Sequence, residues 1–158
     1  MRVVFDIHIF VLNLINPNAT WPEIEPLPPT SESAAADCIS LAFDALDVQL
    51  YLSPHILRNT SRILKGRGLD DNIVDAYIEA LVEIVEISGG AVVDPLPLDR
   101  GVRDHEDNRI LDLVLAVDAD ILVSDDSDLT SLSPWNGRPI LRPYEFVNRV
   151  LQSRRIRG

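Results

Sequence analysis

The sequence predicts an α/β domain, a three-layer α/β/α sandwich with a central parallel sheet. Three observations point there. Short runs of β-branched residues alternate with longer stretches whose apolar residues recur at helical spacing, the pattern of strands joined by helical crossovers. The first apolar run is hydrophobic on both faces, as a strand buried in a parallel sheet must be. The chain has 158 residues, 46% of them hydrophobic, enough for one core and too few for two ordinary domains. A single domain over residues 1–152 is therefore expected, followed by a basic, frayed tail over residues 153–158.

Val3 to Phe5, with Ile7 and Ile9 to Leu12, reads as the central strand. Pro17, Pro22, Pro26, Pro28 and Pro29 then rule out helix or sheet over residues 16–30, which read as an extended loop. A helix is expected from Ser31, with Glu32 near its positive end and Ala35, Cys38, Ile39, Ala42 and Leu46 on one face. Val48 to Leu52 reads as a second strand. Ser53-Pro54 is a strong helix start, a hydroxyl cap followed by proline at the first helical position. That helix buries Ile56, Leu57, Thr60, Ile63 and Leu64, carries Arg58, Arg62 and Lys65 along another face, and stops at Gly66 and Gly68.

Asp70 or Asp71 can cap the next helix, whose buried stripe runs Ile73, Val74, Tyr77, Ile78, Leu81, Ile84 and Val85 up to Gly89-Gly90. Ala91 to Val93 reads as a short strand. The last third repeats the alternation: a helix with Ile110, Leu111, Val114 and Leu115, a strand Ile121 to Val123, a turn from Ser124 to Asp128, a strand Pro139 to Leu141 and a helix from Tyr144 to Leu151.

A formal net charge of −11 argues against a general nucleic-acid coat protein, which needs an excess of Lys and Arg. The bases are nevertheless clustered, in Arg58, Arg62, Lys65 and Arg67 and again in Arg138, Arg142, Arg149, Arg154, Arg155 and Arg157. Such polarity can give a basic approach surface beside an acidic centre, and it can equally be a solvated face. One cysteine, Cys38, cannot form an internal disulfide and reads as core on an apolar helix face. Asp6 and His8 interrupt the apolar N-terminal run, no small-residue cleavage site follows, and no stretch approaches a membrane span. A cytoplasmic protein without membrane association is the expectation.

In an open α/β sheet, ligands bind beyond the carboxyl ends of the strands, and in this sequence the residues there are acidic. Asp6 and His8 are read two apart on one face of the first strand, Asp107 starts a helix, and Asp125, Asp126 and Asp128 follow a strand. Gathered carboxylates repel one another unless a cation neutralises them, and hard ions such as Mg²⁺ or Mn²⁺ suit them. Taken singly, Asp107 reads as a helix cap and Asp126 and Asp128 as turn residues. Asp6 stands apart, because a carboxylate within an otherwise apolar strand is costly without a partner.

These residues bring a family into view. Met1-Arg2-Val3-Val4-Phe5-Asp6-Ile7-His8 resembles the first strand of PIN-domain proteins, and Ser53-Pro54-His55-Ile56-Leu57-Arg58-Asn59 to Ile63-Leu64 resembles a conserved helix of that family. The most specific match runs from Val102-Arg103-Asp104-His105-Glu106-Asp107-Asn108 through Ile121-Leu122-Val123-Ser124-Asp125-Asp126-Ser127-Asp128-Leu129. Arg138 to Phe146 is similar to the closing strand and helix. The resemblance implies a metal-dependent endoribonuclease using Mg²⁺ or Mn²⁺, with Asp6, Asp107 and Asp126 as catalytic metal-site acids and Asp128 supporting them.

Two positions depart from the family pattern: Asn59 stands where a Glu is usual, and His8 where Asn or Ser is usual. Both are candidate supporting residues, and the lost charge should weaken metal binding. The resemblance also implies an RNA substrate approached over Arg58, Arg62 and Lys65, a homodimer, and a toxin role with an antitoxin protein as partner. The alternative is a catalytically degenerate PIN module that binds protein or RNA. A phosphotransfer receiver-like domain also clusters Asp at strand ends, but it needs a late lysine, and Lys65 is the only lysine here.

Overall fold

The computed structural model describes residues 1–15, 34–98 and 105–158. The expected proline-rich loop, the helix start at Ser31 with Glu32, and the motif residues Val102 to Asp104 lie outside them. Four strands form one all-parallel sheet: β1 (Arg2–Phe5), β2 (Gln49–Tyr51), β3 (Ile121–Val123) and β4 (Ile140–Leu141), in the order β2-β1-β3-β4. Val3 sits opposite Leu50 on one side and Ile121 on the other, so β1 is an inner strand, as predicted. The chain leaves β1 towards β2 and returns across it to β3. The crevice between the carboxyl ends of β1 and β3 is therefore the switch point where α/β sheets bind ligands.

Among the described residues seven helices surround this sheet, as the predicted α/β sandwich requires: α1 (Ile7–Ile15), α2 (Ala34–Phe43), α3 (Pro54–Gly66), α4 (Asp71–Ser88), α5 (His105–Ala116), α6 (Ser127–Thr130) and α7 (Pro143–Arg157). The local signals explain most boundaries. Ser53 caps α3 by accepting from the Ile56 amide at 3.2 Å. Asp70 caps α4 by accepting from Asn72, and Gly89 closes it at φ 83°, a left-handed geometry that glycine adopts without strain. Phe5, Phe10 and Phe146 pack together in the core, and Cys38 is fully buried, its thiol pointing to the Pro143 carbonyl at 3.7 Å.

The structure corrects six expectations. The first apolar run is not one strand: β1 stops at Phe5 and Ile7 begins α1. Both faces of that run are buried, including Ile7, Ile9, Phe10 and Val11, so its periodicity cannot separate strand from helix. Asp6 makes the break by accepting from the Ile7 amide at 2.7 Å, so Asp6 and His8 do not share a strand face. Ala91 to Val93 is no strand but a single bridge from Leu52 to Val92, because the chain touches the edge of β2 and departs. Leu46 lies beyond the end of α2, and Ile73 is on the solvent side of α4. The final residues form no frayed tail: α7 continues to Arg157, and Arg154 pairs with Asp44 at 2.7 Å and Asp47 at 2.6 Å.

The approach of Gly90 to β2 generates a prediction. A Cβ there would stand 1.7 Å from the Leu50 carbonyl oxygen, so main chain would have to move, whereas a Cβ at Gly66 meets nothing within 4 Å. Gly90→Ala should cost at least about 2 kcal/mol in urea unfolding. Gly66→Ala, near the end of α3, should be neutral or stabilise by up to about 1 kcal/mol.

Candidate metal centre

Each site acid is placed by a different local device. Asp6 is the first residue after β1, and its amide extends the ladder by donating to Val123 O at 2.9 Å. Its Oδ1 accepts from the Ile7 amide at 2.7 Å and its Oδ2 from the Ser124 hydroxyl at 2.8 Å. Asp107 lies in the first turn of α5 and is buried. Asp126 caps the short α6, accepting from the Asp128 amide at 2.9 Å. The same Ser124 oxygen that donates to Asp6 accepts from the Asp126 amide at 3.0 Å. One buried hydroxyl thus links the acid after β1 to the acid after β3.

The acids converge. Carboxylate oxygens of Asp107, Asp126 and Asp128 lie within 4.8 Å of one another, and a cavity of about 100 Å³ is lined by Asp6, Asp107 and Asp126 together with His8, Glu106 and Ile63. Burial is the main cause that raises the Asp6 carboxyl above the usual aspartate range, and the negative charge of Asp126 adds to it; the Ser124 hydroxyl, the Ile7 amide and His8 pull the other way. A divalent cation would relieve that penalty. Opposite ligands of Mg²⁺ or Mn²⁺ stand about 4 Å apart, so hard oxygens within 4.8 Å of one another need only a small side-chain movement to hold such an ion.

The supporting candidates fare differently. His8 is exposed in the first turn of α1, yet it lines the acid cavity and also a neighbouring hollow with Leu12, Asp125 and Asp126. Asn59 does not line the cavity; from α3 that wall receives Ile63. The Asn59 carbonyl oxygen is occupied by Arg62, accepting from Nη2 at 2.9 Å and Nε at 3.3 Å. The basic stripe is also divided. Lys65 turns to Asp75 of α4 at 3.0 Å, Arg62 reaches Glu106 at 3.4 Å, and Arg58 lines a groove of about 560 Å³ between α3 and α4.

Two residues at the site escape sequence reasoning. Ser124 leaves only a faint signal, a small hydroxyl between a strand and its acids. Glu106 is hidden beside Asp107, where a second acid in a first helical turn looks like ordinary compensation of the helix dipole.

Among the described residues, no helix is long and apolar enough to cross a membrane. No curated protein matches the chain. The family model for the PIN domain matches residues 2–128, spanning β1, the acid cavity and the post-β3 acids. PIN domains are in general nucleases that use divalent metals and act on RNA. With acids gathered at the switch point of a parallel sheet and a family match over most of its length, this chain belongs to the PIN-domain family.

Proposed function

We propose that the chain is an endoribonuclease that hydrolyses RNA phosphodiester bonds with Mg²⁺ or Mn²⁺. The observation that carries this reading is the convergence of Asp107, Asp126 and Asp128 within 4.8 Å, with Asp6 on the wall of the adjoining cavity. Asp6, Asp107 and Asp126 are the proposed catalytic ligands and Asp128 a supporting one. The chemistry such an ion supplies, when bound, is Lewis-acid polarisation of the scissile phosphate and acidification of the attacking water. The protein's own contribution is placement. Ser124 anchors the Asp6 carboxylate by a hydrogen bond, the cap of α6 holds Asp126, and the first turn of α5 carries Asp107. His8, which lines the same cavity, is the proposed supporting residue on the α1 side.

A second reading, a PIN module that binds RNA or protein without cutting, draws on Asn59, whose neutral amide faces Arg62 rather than the cavity. A toxin role with an antitoxin partner, a homodimeric assembly and a cytoplasmic location complete the proposal. The acidic net charge would suit a basic antitoxin segment.

The deciding experiment is cleavage of single-stranded and structured RNA with added Mn²⁺ or Mg²⁺. Cleavage should stop with EDTA and in Asp6→Asn and Asp107→Asn. Metal-dependent RNA binding by the parent without cleavage would favour the second reading.

The crowding of carboxylates leads to two further outcomes. Asp126→Asn keeps a good helix cap and removes a like charge from Asp6, so the metal-free variant should melt at the parent temperature or a few degrees above it. The rise in melting temperature that Mn²⁺ gives the parent should be lost. The Asp6 carboxyl, raised by burial, costs least when neutral. Its unfavourable contribution to metal-free stability is absent at low pH, grows as pH rises past the ordinary aspartate range and is complete above the raised value. Metal binding needs the ionised form, so Mn²⁺ affinity should begin to fall at a higher pH than an ordinary aspartate would dictate. Calorimetry across a pH series checks the sign.

A further inference from the structure

Resting on the ribonuclease reading above, we propose that Asn59 is a positioning residue that aims the Arg62 guanidinium over the rim of the acid cavity, where Arg62 takes a backbone phosphate of the RNA. Both ends of the Asn59 amide are engaged. Nδ2 donates to the His55 carbonyl at 2.9 Å, and Oδ1 accepts from Arg62 Nη2 at 2.9 Å and Nε at 3.3 Å. The reverse orientation of the amide would set its NH₂ group against the guanidinium, donor against donor, so the hydrogen bonds themselves fix which way it points. The spacing of three residues within α3 brings the pair together on one helix face without help from the rest of the fold.

Arg62 is the link from that face to the site. Its Nη2 lies 3.4 Å from Glu106 Oε1, and Glu106 lines the cavity beside Asp6, Asp107 and Asp126. With side chains 67% and 44% exposed, the pair is weak and readily exchanged for a phosphate. Two donors of the guanidinium fork stay on Asn59 while others turn to the ligand. A neutral amide suits this task better than a carboxylate, because it orients the guanidinium without cancelling its charge. An anionic substrate must approach a cluster of acids, and a fixed cation at the rim offsets that repulsion. The residue that looks like a lost metal ligand therefore serves the substrate.

The test is a double-mutant cycle on binding of a short oligouridylate RNA in EDTA, followed by fluorescence anisotropy across a salt series. Arg62→Ala should weaken binding about tenfold or more and lower the salt slope by about 0.7. Asn59→Ala should lose several-fold with little change in slope, since the charge remains but is no longer held. The double variant should bind no worse than Arg62→Ala. Arg62→Lys, which keeps the charge without the fork, should not restore parental affinity. A readout free of RNA accompanies these: the Arg62 Nε–H signal in ¹⁵N NMR should be protected from exchange in the parent and lose protection in Asn59→Ala.

Additive losses, full rescue by lysine, or an Arg62 signal indifferent to Asn59 would each overturn the positioning role. If the parent cleaves RNA with Mn²⁺ while any of these results is found, the positioning role fails alone. A parent that neither binds nor cleaves RNA overturns the ribonuclease reading and this proposal with it.

Discussion

The parallel pairing of β1 with β3 is the constraint on which the site depends. Val3, Val4 and Phe5 lie opposite Ile121, Leu122 and Val123, and the ladder runs one residue further through the Asp6 amide to the Val123 carbonyl. The first residues beyond each strand are thereby delivered to the same crevice, Asp6 on one side and Ser124, Asp125 and Asp126 on the other. Carboxylates would not gather of their own accord. Backbone hydrogen bonds and burial of the apolar strands hold them together; burial first, and the neighbouring charge of Asp126 last, push the Asp6 carboxyl above the usual aspartate range.

Ser124 turns this forced proximity into geometry. Its hydroxyl is fully buried, gives its proton to Asp6 and accepts from the Asp126 amide, so it fixes one carboxylate and one helix cap at once. α6 is only four residues long and depends on that cap for its first turn. Rigid first contacts of this kind are what a metal centre requires, because flexible acids would rotate apart under their own repulsion.

The distribution of cations is set by the same packing. The arginines near the end of the chain are largely committed to structure: Arg154 and Arg157 bind Asp47, Arg154 also binds Asp44, Arg138 binds Asp118 and Arg142 binds Asp125. They fasten α7 to the turn between α2 and β2 and tie the two ends of β4 to the segments that flank β3. The cations of α3 are arranged otherwise, with Lys65 given to α4 and Arg62 paired with Glu106, a residue of the acid cavity wall. An acidic protein thus keeps positive charge close to its acid site on one helix.

Much of this was legible in the sequence. Ser53-Pro54, Asp70 and Gly89 mark helix ends through interactions with their own neighbours in the chain, and the alternation of short apolar runs with helical stretches announces a parallel sheet. The acids at strand ends could be named for the same reason, since a strand end is a local feature. Long-range packing decided the rest. Ile7 to Ile15 is apolar over most of its surface, and burial against α2 and α3 makes it a helix. Asn59 looked like a damaged ligand because its partner, Arg62, and that partner's own contact, Glu106, are joined across two helices. Local sequence dictates caps, turns and periodicity because those depend on neighbours within a few residues. Which buried run becomes a strand, and which polar groups meet, depends on atoms that only the folded chain brings together.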